Sequence, residues 1–200
     1  MNRALRIGLT GGLASGKSTV ARWLRETGFE VVDADRVVAE LYHPGGEGAA
    51  AVRSLFGPEM LDERGGVDHA KVAARVFSDP KARAALEAAV HPLVRKRFMD
   101  MAAKAKDVIV LEATLLFEAG YAPDFDFLVT VEAPCELRYQ RAVTKGMDPQ
   151  SVHARLLAQG DGEERREAAH RLIDNSGDLA HLRHQTDELI EELRRLAAGQ

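Results

Sequence analysis

The sequence predicts an α/β fold in which a central parallel sheet forms the middle of a three-layer core, with a helical insertion and a helical lid added to it. Three observations carry this expectation. A glycine-rich loop lies between a short apolar run and a helical repeat near the N-terminus. Further short apolar runs, rich in β-branched residues, recur along the chain. A long helical region, about residues 36–106, is interposed between the second run and the third. Short runs without alternation are what strands buried on both faces require.

Arg6 to Leu9 reads as the first strand, ended by Thr10 and two glycines, after which Val20, Trp23 and Leu24 repeat at helical spacing until Gly28 stops them. Glu30 to Val32 reads as a second strand running into Asp33 and Asp35, which completes a βαβ unit. Region 36–106 is broken at Pro44 to Gly46, at Gly57 and Pro58, at Gly65 and Gly66, and at Asp79 and Pro80. It is long for a plain crossover, so it is expected to be one enlarged into a substrate-covering helical subdomain. Val108 to Leu111 and Phe127 to Val131 read as strands of the core sheet. Residues 135–170 turn helical and strongly charged, with Asp148 as N-cap and Pro149 as first helical residue, and are expected to form a mobile lid. Leu172 to Asp174 is a last strand. The final helix, capped by Asp178, carries Leu179, Leu182, Thr186, Leu189, Leu193 and Leu196 as a stripe expected to pack on the sheet. The expected organisation is one domain over 1–200, with core 1–35, 107–134 and 171–200, insertion about 36–106 and lid about 135–170.

Composition narrows the function classes. A formal charge of −4, from 31 acidic against 27 basic residues, with no run of Lys and Arg, argues against a nucleic-acid partner. The sequence has no apolar stretch long enough for a membrane span and no signal-peptide layout at its start, so a cytoplasmic protein is expected, with no obligatory protein partner evident. Cys135, the single cysteine, excludes an internal disulfide framework and a thiolate metal site; it is expected to be buried and structural.

The strongest chemical signal is Gly11-Gly12-Leu13-Ala14-Ser15-Gly16-Lys17-Ser18, which fits G-x-x-x-x-G-K-[ST] between a predicted strand and a predicted helix. This is a P-loop. Its glycines let backbone N–H groups turn inward around phosphate oxygens, and the helix start adds its positive dipole end. Gly12 to Thr19 are therefore candidate ATP-binding residues. Lys17 is expected to bridge the β- and γ-phosphates, and the Ser18 hydroxyl to ligate Mg²⁺.

What converges on the γ-phosphate decides the class of P-loop protein. A GTPase needs an N/T-K-x-D reader, and Thr144-Lys145-Gly146-Met147-Asp148 has one residue too many. A motor ATPase would close its third strand on aspartate, whereas this one closes on Glu112, expected to hold the Mg²⁺ water shell. Kinase is the better choice. Asp33, at a strand's carboxyl end where ligands bind in parallel sheets, is expected to accept the proton of, or orient, an acceptor hydroxyl, while Asp35 is expected to cap the next helix. Arg138, Arg141 and Lys145 on one lid helix are candidates to meet the transferring phosphoryl group, and Arg155 and Gln159 share another face further into the lid.

Together, Leu9 to Ser18, Asp33-Ala34-Asp35, His91-Pro92-Leu93, Leu115-Leu116-Phe117-Glu118 and Ile173-Asp174-Asn175-Ser176-Gly177 resemble the motif series of dephospho-coenzyme A kinases, in the same order and over nearly the whole chain. The resemblance implies ATP-dependent phosphorylation of dephospho-CoA on a P-loop core similar to nucleoside monophosphate kinases. It also implies Asp33 as base or orienting group, Lys17 and Arg141 as phosphate stabilisers, Asn175 near the adenine, and His91 near the substrate. By itself a His-Pro pair reads as a helix breaker. Three positions depart from the pattern: Ala14 replaces a frequent glycine and fits if its φ is negative, Thr114 replaces a usual proline, and Lys145 replaces a frequent arginine. A kinase of a nucleoside or other small alcohol, and a nucleotide switch without turnover, remain the alternatives.

Overall fold

Buried strands must pair before they can be covered, and in the computed structural model the five short runs form one sheet. These are β1 (Leu5–Thr10), β2 (Glu30–Asp33), β3 (Val108–Glu112), β4 (Phe127–Glu132) and β5 (Arg171–Asp174), in the order β2-β3-β1-β4-β5. The structure describes residues 3–117 and 119–199, so Glu118, the last residue of the Leu115–Glu118 motif, lies outside the described residues. The pairs β1 with β3, β1 with β4 and β4 with β5 are parallel. From β1 the chain moves toward β2 on one side, and β4 flanks β1 on the other. This reversal opens a crevice at the carboxyl end of β1, where open α/β sheets receive ligands.

The chain divides into two compact units, Met1–Val32 with Ala102–Gln200, and Asp33–Met101. In the first, one face of the sheet is covered by α1 (Lys17–Glu26) and α9 (Leu179–Ala198), which bury Val20, Leu24, Leu189 and Leu193 against Ile7, Leu9, Val110, Val129, Val131 and Ile173. The α9 stripe packs through Leu182, Thr186, Leu189 and Leu193, but Leu179 and Leu196, toward its ends, are exposed. On the opposite face Gly8 gives room: a Cβ there would meet Leu128 at 2.7 Å and Leu116 at 2.8 Å. The charged segment after β4 forms α6 (Cys135–Thr144), α7 (Pro149–Ala158) and α8 (Glu163–Ala168). Asp148 and Asp178 cap α7 and α9 through their carboxylates, as their positions predict.

The second unit holds α2 (Ala34–Leu41), α3 (Glu47–Phe56), α4 (His69–Ser78) and most of α5 (Pro80–Ala102). The breaks fall where Gly and Pro put them. The exception is His91-Pro92, which does not break α5. Proline removes one backbone donor, but Val90, Val94 and Phe98 continue a buried stripe through it at intervals of four, and that packing outweighs the lost bond. Cys135 is also not where the sequence suggests: it is exposed, because as the first residue of α6 it lies on a turn facing solvent.

Candidate functional site

The loop from Gly11 to Gly16 leaves β1 at the crevice and feeds α1. Gly16 is the N-cap of α1 with φ +105°, a left-handed conformation that glycine adopts without steric cost. Thr19 and Val20 donate their N–H groups to the Gly16 carbonyl, and those of Lys17 and Ser18 belong to the helix's first turn, which has no intrahelical acceptor. Ala14 has φ +55°, so the negative φ that alanine favours is not what the loop adopts; the turn imposes left-handed backbone there, at a cost of about 1–2 kcal/mol.

Glu112 ends β3 next to this loop, because the register sets it opposite Leu9. It is 4% exposed and gathers three donors: Ser18 Oγ at 2.7 Å and Lys17 Nζ at 3.2 Å on Oε1, and Arg25 Nη2 at 3.3 Å on Oε2. The structure thus brings Lys17, Ser18 and Glu112 together as the sequence suggests. It adds Arg25, whose one signal in the sequence is its spacing of seven from Ser18 on one face of α1. Among the described residues no three His, Cys, Asp or Glu converge on a metal position. The Ser18 hydroxyl and the Glu112 carboxylate suit magnesium all the same, since that ion takes few protein ligands and keeps waters and phosphate oxygens.

Helix α6 contributes Arg138 and Arg141, and the end of α7 contributes Gln159. Arg138 is 3% exposed; its Nε donates to the Leu13 carbonyl at 2.9 Å and its Nη2 to Gln159 Oε1 at 2.7 Å. Burial pulls the Arg138 guanidinium below its ordinary pKa, an effect that nearby Glu132 opposes. Gln159 Oε1 also accepts the Leu13 N–H at 2.8 Å. Arg141 Nη2 donates to the Asn175 carbonyl at 3.0 Å, and Asn175 Nδ2 donates to the Ser15 carbonyl at 2.7 Å, so Asn175 braces the loop itself. Two buried polar atoms, Arg141 Nη1 and Ser15 Oγ, have no hydrogen-bond partner. One belongs to the loop and the other to α6, and each has hydrogen-bonding capacity that no protein group uses.

Lys145 does not join this set. Gly146, with φ +87°, ends α6 early, and Lys145 becomes its exposed C-cap. Arg155 is also exposed on α7. Glu132 accepts from Arg165 Nε at 3.3 Å and Thr130 Oγ1 at 2.7 Å, a buried ion pair that no local pattern in the chain announces. A separate cleft of about 880 Å³, lined by Cys135, Tyr139, Leu156, Leu157 and Leu172, includes no phosphate-loop residue.

In the second unit, Asp33 caps α2: its Oδ1 accepts the N–H of Asp35 at 2.9 Å and of Arg36 at 3.3 Å. The cap is therefore Asp33 and not Asp35, because Asp33 keeps the extended backbone that a capping residue needs while Asp35 is already helical. His91 lies within α5, where burial lowers its pKa and Glu87 works against the shift.

Comparison with known proteins gives the arrangement its relatives. A dephospho-CoA kinase from Thermobifida fusca is 38% identical over 96% of this chain and 97% of its own length, and one from Streptomyces avermitilis is 40% identical over 94% of each. A crystal structure from Thermus thermophilus superposes with TM-score 0.82 at 36% identity, covering 96% of this chain and 99% of that one. The dephospho-CoA kinase of Campylobacter jejuni gives 0.72 at 25% identity over 95% and 97%. A shikimate kinase from Bacteroides thetaiotaomicron, 14% identical over 94% and 98% at TM-score 0.56, shares the fold. The family model described as CoaE, dephospho-CoA kinase, matches residues 5–181, which span the phosphate loop, Glu112, α6 to α8 and Asn175, and the chain belongs to that family of P-loop kinases.

Proposed function

We propose that this protein transfers the γ-phosphoryl group of ATP to the ribose 3′-hydroxyl of dephospho-CoA, giving ADP and CoA, the last step of CoA synthesis, in the cytoplasm. The observation that carries the transfer is the convergence of Lys17, Ser18 and Glu112 on the start of α1, with the partnerless Arg141 Nη1 tied to the same loop through Asn175. The acceptor's identity is supported by the family and its relatives.

In this reading the loop N–H groups and the α1 terminus hold the β-phosphate. Lys17 moves from Glu112 onto the β- and γ-phosphates. Ser18 and Glu112 would hold magnesium, Glu112 through water. A magnesium ion held there would supply positive charge against the phosphates of ATP. Arg141 meets the charge on the moving group with the nitrogen that no protein group occupies. The acceptor oxygen attacks phosphorus as the bond to ADP breaks, and its proton passes to Asp33. Two backbone N–H groups on Oδ1 fix the orientation of the Asp33 carboxylate.

Asp33→Asn tests the assignment in an ADP-release assay with dephospho-CoA, adenosine, AMP and simple alcohols as acceptors. Asparagine can still cap α2, so a fall in kcat of about 10²-fold or more with an unchanged melting temperature is expected. Unchanged turnover removes Asp33 from the mechanism. Faster turnover with another acceptor makes the protein a kinase of that alcohol, and no stimulation by any acceptor makes it a nucleotide switch.

A further inference from the structure

The contacts of Leu13 go beyond what a phosphate loop needs to close. Its N–H and its carbonyl are both taken, and both by the lid: the N–H by Gln159 Oε1 at 2.8 Å, the carbonyl by Arg138 Nε at 2.9 Å, with Arg138 Nη2 joined to the same Oε1 at 2.7 Å. The ring of three bonds fixes the Gln159 amide, because only its oxygen can accept from two donors. It also explains Gly12, where any Cβ would run into the Arg138 guanidinium. Behind it Ala142, Val152 and Leu156 form a small core against which Leu13, Ala14 and Tyr139 pack. Next in the chain is Ala14, left-handed at φ +55°, and a strained residue persists only where its surroundings over-determine it.

We propose that Gln159, braced by Arg138, is a positioning residue for ATP: from the lid it holds the Leu13 peptide, and so keeps the phosphate loop in the shape that receives the triphosphate. The inference rests on the reading of Gly11–Ser18 as the ATP cradle. Arg138 keeps the Leu13 carbonyl turned away from the phosphates, and Gln159 keeps the neighbouring strained turn from relaxing. Without the oxygen of Gln159 the loop spends only part of its time in the competent shape, and apparent ATP affinity falls by that fraction.

The test compares the full-length protein with Gln159→Leu and Gln159→Glu. ATP binding is measured by calorimetry without acceptor, and KM is measured for ATP and for dephospho-CoA. Gln159→Leu is expected to weaken ATP binding and raise its KM about tenfold, leaving the KM of the acceptor within about twofold. Gln159→Glu, which keeps an oxygen for both donors, is expected to stay within about threefold of the parent for ATP. A merely structural role would lower the active fraction without moving either KM. An unchanged or tighter ATP constant in Gln159→Leu overturns the proposal, the latter by showing that Gln159 competes with phosphate for the Leu13 N–H. So does a Gln159→Glu protein as impaired as the leucine variant. If Gln159→Leu does not fold, Gln159→Ala takes its place with the same expected and overturning results. A parent protein that binds ATP but does not phosphorylate dephospho-CoA sinks the functional reading only, and the calorimetry still reads the inference; one that binds no ATP sinks both.

Discussion

Replacing Glu112 with alanine tests how the phosphate site is held in the absence of nucleotide. Glu112 is 4% exposed and accepts from Ser18, Lys17 and Arg25. Removing one partner of a fully buried ion pair costs about 3–5 kcal/mol, because the remaining charge is stranded. Here the loss is smaller. The Arg25 side chain is 40% exposed and Ser18 is exposed, so both can turn to water, whereas Lys17, at 12%, cannot do so without leaving its place. About 2–3 kcal/mol remains, mostly from Lys17. For a chain of this size each kcal/mol moves the melting temperature by about 2–4 °C, so Glu112→Ala should melt roughly 5–10 °C below the parent. Differential scanning calorimetry without ligand reads this directly. A second scan with ATP and magnesium should restore part of the loss, since phosphates give Lys17 a new partner. A shift under about 2 °C in the first scan would refute the reasoning, because Lys17 would then have no dependence on Glu112.

Three further outcomes are expected. Arg141→Ala should lower kcat by about 10²-fold with less than a threefold change in the KM of either substrate, read by steady-state kinetics, because the lost donor matters most when charge gathers on the moving group. Arg3→Ala should change the pH dependence of stability. Burial alone would raise the Asp126 carboxyl, but Arg3, bonded to both its oxygens at 2.7 Å, and the Arg6 amide outweigh that and hold it at about 2. A depressed carboxyl contributes stability above its unfolded pKa that disappears as pH falls from about 4 through 2. In urea titrations Arg3→Ala should therefore cost about 1 kcal/mol at pH 7, discounted for the exposure of Arg3, and nothing below pH 2. Exchanging Leu189 for alanine in the α1–α9 layer should cost about 2–5 kcal/mol by the same titration, with the KM for ATP unmoved in whatever fraction stays folded.

Much of this molecule is legible in the sequence, for identifiable reasons. The P-loop, the strand ends at Glu112 and Asp33, and the caps at Asp148 and Asp178 are local: each residue type does its work within a few positions of itself. What sequence reading misses is what chain-distant neighbours decide. Arg138 looks like any lid arginine until the loop's Leu13 carbonyl, 125 residues away, gives it a buried partner. The acidic pair reads as Asp33 for the acceptor and Asp35 for the cap; the structure gives the cap to Asp33, because the helix begins at Ala34, two residues earlier than a cap at Asp35 would allow. His91-Pro92 reads as a break since proline's cost is local, while the buried stripe of Val90, Val94 and Phe98 that overrides it depends on tertiary packing. Cys135 looks buried by residue type and is exposed by position. Lys145 sits one turn beyond Arg141, but a glycine ends the helix before that turn can aim it.

The central claim is transfer of a phosphoryl group to one hydroxyl, and the most direct measurement is the product itself. The purified protein is incubated with ATP, magnesium and dephospho-CoA, and the product is located by phosphorus NMR and mass spectrometry against the ADP formed. One ADP is expected for each CoA, with the new phosphate on the ribose 3′-oxygen. ADP accompanied by inorganic phosphate, or a phosphate on any other oxygen, would contradict it.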